Sequence, residues 1–118
     1  MNNEKLILSE ILADGVSGNK WELEAGGINA SYQLGRLDDG SGNKIVINNE
    51  SLSDTQGRFM HSEGSWRYED YGTIKARLDP RAPKDRRPDM LLQGNSVSLY
   101  KGDTLRFGDG LRLNVTYF

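Results

Sequence analysis

No cysteine occurs anywhere in the 118 residues. That excludes disulfides, thiolate metal sites and cysteine nucleophiles, and it fits a reducing compartment, so the expected location is the cytoplasm. Histidine occurs once, at His61, too few for a histidine-based zinc site or a Ser-His-Asp triad. Long apolar runs are missing too. The N-terminal "KLILSEILA" is interrupted by Ser9 and Glu10, far short of the ~20 residues of a membrane span, and does not read as a signal segment. Charge of one sign is not in excess: 15 Lys and Arg face 17 Asp and Glu, for a net charge of −2 and a pI near 5.4. A surface built for nucleic acid is therefore not expected, and neither is a membrane partner. No phosphate-cradling glycine motif, nucleophile elbow or metal-ligand spacing is present, and "GRLDDGSGN" at 35–43 lacks the EF-hand spacing and its terminal glutamate. The reading is a non-enzyme that needs no metal or cofactor.

What the chain does have is glycine, 14 residues of it, falling between apolar runs as turn punctuation. The runs alternate. "LRLNVTY" sets Leu111, Leu113, Val115 and Tyr117 on one face, with Arg112, Asn114 and Thr116 opposite. "KWELEA", "SVSLY" and "TLRF" do the same on a smaller scale. Period-two runs of four to seven residues bounded by Gly, Asn and Asp are half-buried strands. About eleven can be placed, near 5–13, 20–25, 31–35, 44–47, 57–62, 65–70, 74–78, 90–93, 96–99, 104–107 and 111–117. The first also suits a helical spacing through Leu6, Ile7, Leu8, Ile11 and Leu12, but strand is the preferred reading. Many short strands about ten residues apart predict an all-β sandwich or barrel, in one domain spanning 1–118. Trp21 and Trp66 read as packing residues, and His61 as a strand-face residue.

One segment departs from the alternation. Residues 77–89, "RLDPRAPKDRRPD", hold all three prolines and five basic residues, Arg77, Arg81, Lys84, Arg86 and Arg87. Proline opposes ladder pairing, so an exposed loop is expected. It is either a solvated excursion or a basic arm for an acidic or phosphorylated partner.

A second segment stands out between two strands: "NNESLSDTQ" at 48–56, polar but for Leu52. Holding a phosphate takes a cation and short donors. Arg36 offers a rigid charged fork and Ser53 a hydroxyl close to its own backbone amide. Both have plainer readings, Arg36 as the partner of Asp38, Asp39 or Asp54, and Ser53 as a turn cap.

The order "YQLGR", "KIVI", "SLSDTQGRF", "WRYEDYGT", "LLQGNSVSLYKGDTLRFGD", "LRLNVTYF" resembles a forkhead-associated (FHA) domain, most strongly over 31–118. The resemblance implies an FHA-type β-sandwich of about eleven strands in two twisted sheets, with the chain ends together and away from the binding loops. It also implies a protein-interaction module that reads phosphothreonine peptides, a signalling adaptor whose partner is a protein or phosphopeptide. Gly35 and Arg36 stand at the family's Gly-Arg, and Ser53 at the phosphate-contacting serine of Ser-x-x-His. Gln56 replaces the buttressing histidine. Asp54 follows the serine where the family often has Arg, Lys or Asn, and its carboxylate would repel a dianion unless turned away. In "DYGTIKAR", Thr73 stands at a family serine and Lys75 at the asparagine that bonds the ligand's main chain, a pairing lysine cannot reproduce. These departures keep an alternative open: a phosphorylation-independent scaffold that binds a folded partner through a sheet face or the 77–89 loop.

Overall fold

A computed structural model describes residues 5–12, 15, 17–24, 31–37, 40, 44–62, 65–71, 76–79, 90–91, 96–108 and 110–117. Eleven strands run through them: β1 (Lys5–Ile11), β2 (Ser17–Glu24), β3 (Ser31–Gly35), β4 (Lys44–Val46), β5 (Gly57–Ser62), β6 (Ser65–Asp70), β7 (Ala76–Asp79), β8 (Met90–Leu91), β9 (Ser96–Ser98), β10 (Thr104–Phe107) and β11 (Leu111–Tyr117). They form two sheets. Sheet A has the order β2-β1-β11-β10-β7-β8, and sheet B the order β4-β3-β5-β6-β9. Pairing is antiparallel except between β3 and β4, which run parallel. The expected all-β sandwich is what the chain forms, and its first segment is a strand.

Alternation explains the packing. Leu6 and Leu8 on β1, Phe59 on β5, Trp66 and Tyr68 on β6, Leu105 and Phe107 on β10, and Leu111, Leu113 and Val115 on β11 are all buried between the sheets. Each is two residues from the next on its own strand, as a one-faced strand requires. Aromatic rings hold the centre: Phe59 and Tyr68 lie 4.9 Å apart, and Tyr68 meets Phe107 edge-on at 5.9 Å. Trp66 is fully buried, while Trp21 is half-buried and packs against the core cluster. His61 faces inward with Trp66, ring centroids 5.0 Å apart.

The register sets the ends of the molecule. Leu6 pairs with Tyr117, so the first and last strands lie side by side within sheet A. The β10–β11 turn lies at the opposite end of β11, and Gly110 there meets the loop that follows β4.

The strand expected near 74–78 takes in Arg77, which also opens the 77–89 segment: it stands at the second position of β7, paired with Arg106 of β10. Its strand is held by Ala76 and Leu78, both fully buried on either side of it. The prolines begin only at Pro80, so they do not reach this ladder.

Candidate functional site

Residues 47–56 leave β4 and return along β3. Ile47 donates its N–H to the Gly35 carbonyl at 3.0 Å, and Leu52 donates to Asn49 at 3.0 Å. Asn49 stitches the loop twice. Its Oδ1 accepts the Ser51 N–H at 2.8 Å, and its Nδ2 donates to the Gly110 carbonyl at 3.2 Å. Leu52, the one apolar residue of 48–56, is buried in the core. The loop's polar composition therefore partly serves its own backbone, the local bonding for which Asn and Ser are favoured in turns.

The returning half lies against the end of β3. Gln56 donates its N–H to Leu34 at 2.7 Å, Arg36 donates to the Ser53 carbonyl at 3.0 Å, and Leu37 donates to Asp54 at 3.3 Å. These bonds set the Arg36 and Ser53 backbones side by side. The approach depends on Gly35, because a Cβ there would overlap the Asp54 carbonyl oxygen. Lys44 Nζ donates to that same carbonyl at 3.2 Å.

Gln56 is fully buried and works at both ends of its amide. Its Oε1 accepts the Ser53 N–H at 2.9 Å, and its Nε2 donates to Asp70 Oδ1 at 2.9 Å. The Tyr68 hydroxyl donates to the same Asp70 oxygen at 2.8 Å. Gln56 also accepts the Tyr71 N–H through its carbonyl at 3.0 Å. A hydrogen-bonded chain thus runs from Tyr68 and Asp70 on β6, through Gln56, to the backbone of Ser53. It holds the loop where the resemblance expects a histidine to do so.

Asp70 is 1% exposed, and among the described residues its Oδ2 has no hydrogen-bond partner. Burial raises its carboxyl above the ordinary range, and the hydrogen bonds from Gln56 and Tyr68 hold that rise back. Burial also pushes the Tyr68 hydroxyl well up, with the charge and hydrogen bond of Asp70 adding to it. Asp70 is absent from the sequence reading, although the alternation of "WRYED" puts it on the same inward face as Trp66 and Tyr68.

Arg36 and Asp54 are both exposed, and they form no ion pair with each other. The closure that would set them against one another is not made. Thr73 and Lys75 lie outside the described residues, as do Arg81, Lys84, Arg86 and Arg87. Arg77 lies on the outer face of sheet A rather than on this loop. Among the described residues no His, Cys, Asp and Glu cluster is placed to hold a metal. No described helix could cross a membrane.

No family profile matches the chain, and no curated protein does. Solved structures do. The FHA domain of a hypothetical protein from Arabidopsis thaliana superposes with a TM-score of 0.68 at 20% identity, over 98% of this chain and 86% of that one. The FHA domain of human APLF, in complex with an XRCC1 bisphospho peptide, gives a TM-score of 0.60 at 15% identity, over 94% of this chain and 98% of that one. The IAD domain of interferon regulatory factor 9 gives 0.70 at 11% identity, over 98% of this chain and 83% of that one. At these identities the likeness is one of fold.

Proposed function

We propose that this chain, whose fold is that of forkhead-associated domains, is a protein-interaction module that reads a phosphothreonine peptide through Arg36 and Ser53. The observation that carries the reading is the 3.0 Å bond from the Arg36 N–H to the Ser53 carbonyl. It sets side by side the backbones of a residue with a permanently charged fork and a residue with a short hydroxyl, the pair of groups a phosphate dianion needs. Two further features support it. Gln56 fixes the Ser53 backbone from behind, and Arg36 is not engaged by Asp54. On this reading the module is a non-enzymatic adaptor of the cytoplasm, and Thr73 and Lys75 are secondary contacts.

Titration of phosphothreonine, phosphoserine and unphosphorylated versions of one peptide, against the wild type and Arg36→Ala, tests it. A charge-assisted hydrogen bond contributes about 1.5–3 kcal/mol, so Arg36→Ala should weaken phosphothreonine binding by roughly ten- to a hundredfold. Equal binding of the three peptides, or of none, refutes the reading.

The exposed Asp54 carboxylate next to Ser53 favours a second reading, the phosphorylation-independent scaffold. A partner that survives phosphatase treatment and Arg36→Ala, yet is lost when Arg86 and Arg87 are neutralised, would establish it.

A further inference from the structure

The side of the sandwich where β2 and β4 lie has a feature that the loop site does not use. β2 ends sheet A and β4 ends sheet B there, and among the described residues β1 is the one strand paired with β2. The Tyr32 hydroxyl, on β3, bridges the two sheets. It donates to the Glu24 carbonyl at 2.9 Å and accepts the Glu24 N–H at 3.2 Å. In an antiparallel ladder both backbone groups of a residue point to the same side, and that side alternates along the strand. Glu24 therefore turns away from β1, and Glu22 and Lys20 turn with it. Asn19, of the opposite parity, donates its N–H toward β1, to Glu10 Oε1 at 3.4 Å. The backbone groups of Lys20 and Glu22 thus form an open edge among the described residues.

An open edge is a template for another strand, and the side chains on this one select which. Lys20 and Glu22 flank Trp21, and both are exposed. Laid antiparallel against a second copy of itself about Trp21, β2 sets each Lys20 opposite a Glu22. Each such pair exchanges both of its N–H···O bonds and joins opposite charges. The neighbouring symmetric registers put Glu22 opposite Glu22, or Lys20 opposite Lys20, and like charges there oppose pairing. The first of these also needs the Glu24 groups that Tyr32 already holds. Odd shifts set core-facing residues opposite solvent-facing ones. Lys5 also attends Glu22, 3.1 Å from Oε1, so two cations would share that carboxylate.

We propose that β2 is the interface of a symmetric homodimer, in which two copies of this chain pair antiparallel about Trp21. A groove of about 370 Å³ runs beside the edge, walled by Trp21, Leu23, Tyr32, Ile45 and Val46. The two-fold axis brings the partner's Trp21 to its mouth, where burial of an indole adds to the backbone bonds. An unrelated strand gains those bonds too, but a second copy brings the matching charges in its own sequence.

Sedimentation velocity of the whole chain between about 10 µM and 1 mM should show a monomer–dimer equilibrium that shifts with concentration. Lys20→Glu presents acid at both positions and Glu22→Lys base at both, so either alone should weaken the dimer by roughly tenfold. An equimolar mixture of the two should restore association as a heterodimer, with thermal melting showing that both chains are folded. Amide exchange in the wild type reads the same interface without a variant. Exchange at Lys20 and Glu22 should slow as concentration rises, while Trp21 and Leu23, already bonded to β1, should not change. A chain that stays monomeric throughout the range overturns the proposal, including one whose edge is protected only by an added peptide or protein. So does a dimer that Lys20→Glu leaves intact, or a mixture of folded variants that stays monomeric.

Discussion

The amide of Gln56 is shared between Ser53 and Asp70, accepting the backbone N–H of one and donating to the carboxylate of the other, each at 2.9 Å. The two bonds join a surface loop to a buried strand end. They also make the loop's geometry depend on the donor and acceptor character of a single side chain.

Gln56→Glu keeps the shape and reverses one end of that chemistry. A carboxylate cannot donate to Asp70, and two buried acceptors would then face each other. The variant should lose about 1–3 kcal/mol of stability at neutral pH, measured by denaturant unfolding. Gln56→His, whose neutral ring accepts at one nitrogen and donates at the other, should lose less than half as much.

Asp70 makes stability depend on pH. Its carboxyl is raised in the folded state, chiefly by burial, so the native chain holds this proton more tightly than the unfolded chain. The stability this confers is fully present below the unfolded value of about 3.9 and is lost as pH rises through the folded value. Asp70→Asn removes the titration. The wild type should therefore gain stability relative to Asp70→Asn as pH is lowered from neutral, and the difference should level off near pH 4. Parallel urea titrations of the two proteins across that range measure it.

His61 is 8% exposed, and neither ring nitrogen has a hydrogen-bond partner among the described residues. Its contact with Trp66 is edge-on, at an interplanar angle of 60°. His61→Phe keeps a ring there and removes two unsatisfied polar atoms. Replacing such atoms with apolar ones of similar shape should be neutral or stabilising by up to about 1 kcal/mol, read as a rise of a few degrees in melting temperature.

Gly35→Ala puts a methyl group against the Asp54 carbonyl. Backbone meets side chain there, and neither can rotate aside. Overpacking of this kind costs roughly 1–3 kcal/mol. It should also displace Ser53 from Arg36, so phosphothreonine affinity should fall beyond what the stability loss explains. Calorimetric titration on the folded fraction separates the two effects.

How much of this was legible in the sequence depended on how local each feature is. The strands were, because alternation is a property of adjacent residues: "LRLNVTY" puts Leu111, Leu113 and Val115 inward, and all three are buried. Gly35, Arg36 and Ser53 could be singled out as a group, but the hydrogen bond between them could not. The Gln56–Asp70 bond joins residues 14 apart on different elements, and neither residue type announces the other. Asp70 could have been marked as a buried acid from its inward position in "WRYED". Arg77 belongs both to the strand expected near 74–78 and to the proline-bearing 77–89 segment, because β7 is only four residues long and ends at Asp79, one residue before the first proline. The pairing of Arg77 with Arg106 needs the adjacency of β10 and β7 to be known, and no local pattern carries that order.

The clamp from Asn49 to the Gly110 carbonyl, across 61 positions, has a consequence for timing. Synthesis runs from the N-terminus, and contacts between distant residues form late because their loops must close first. Sheet B holds β3, β4 and β5 early in the chain, yet the loop between β4 and β5 gains its far anchor only when the last hairpin has docked. Newly made chains would therefore carry a folded scaffold before they carry a shaped recognition edge.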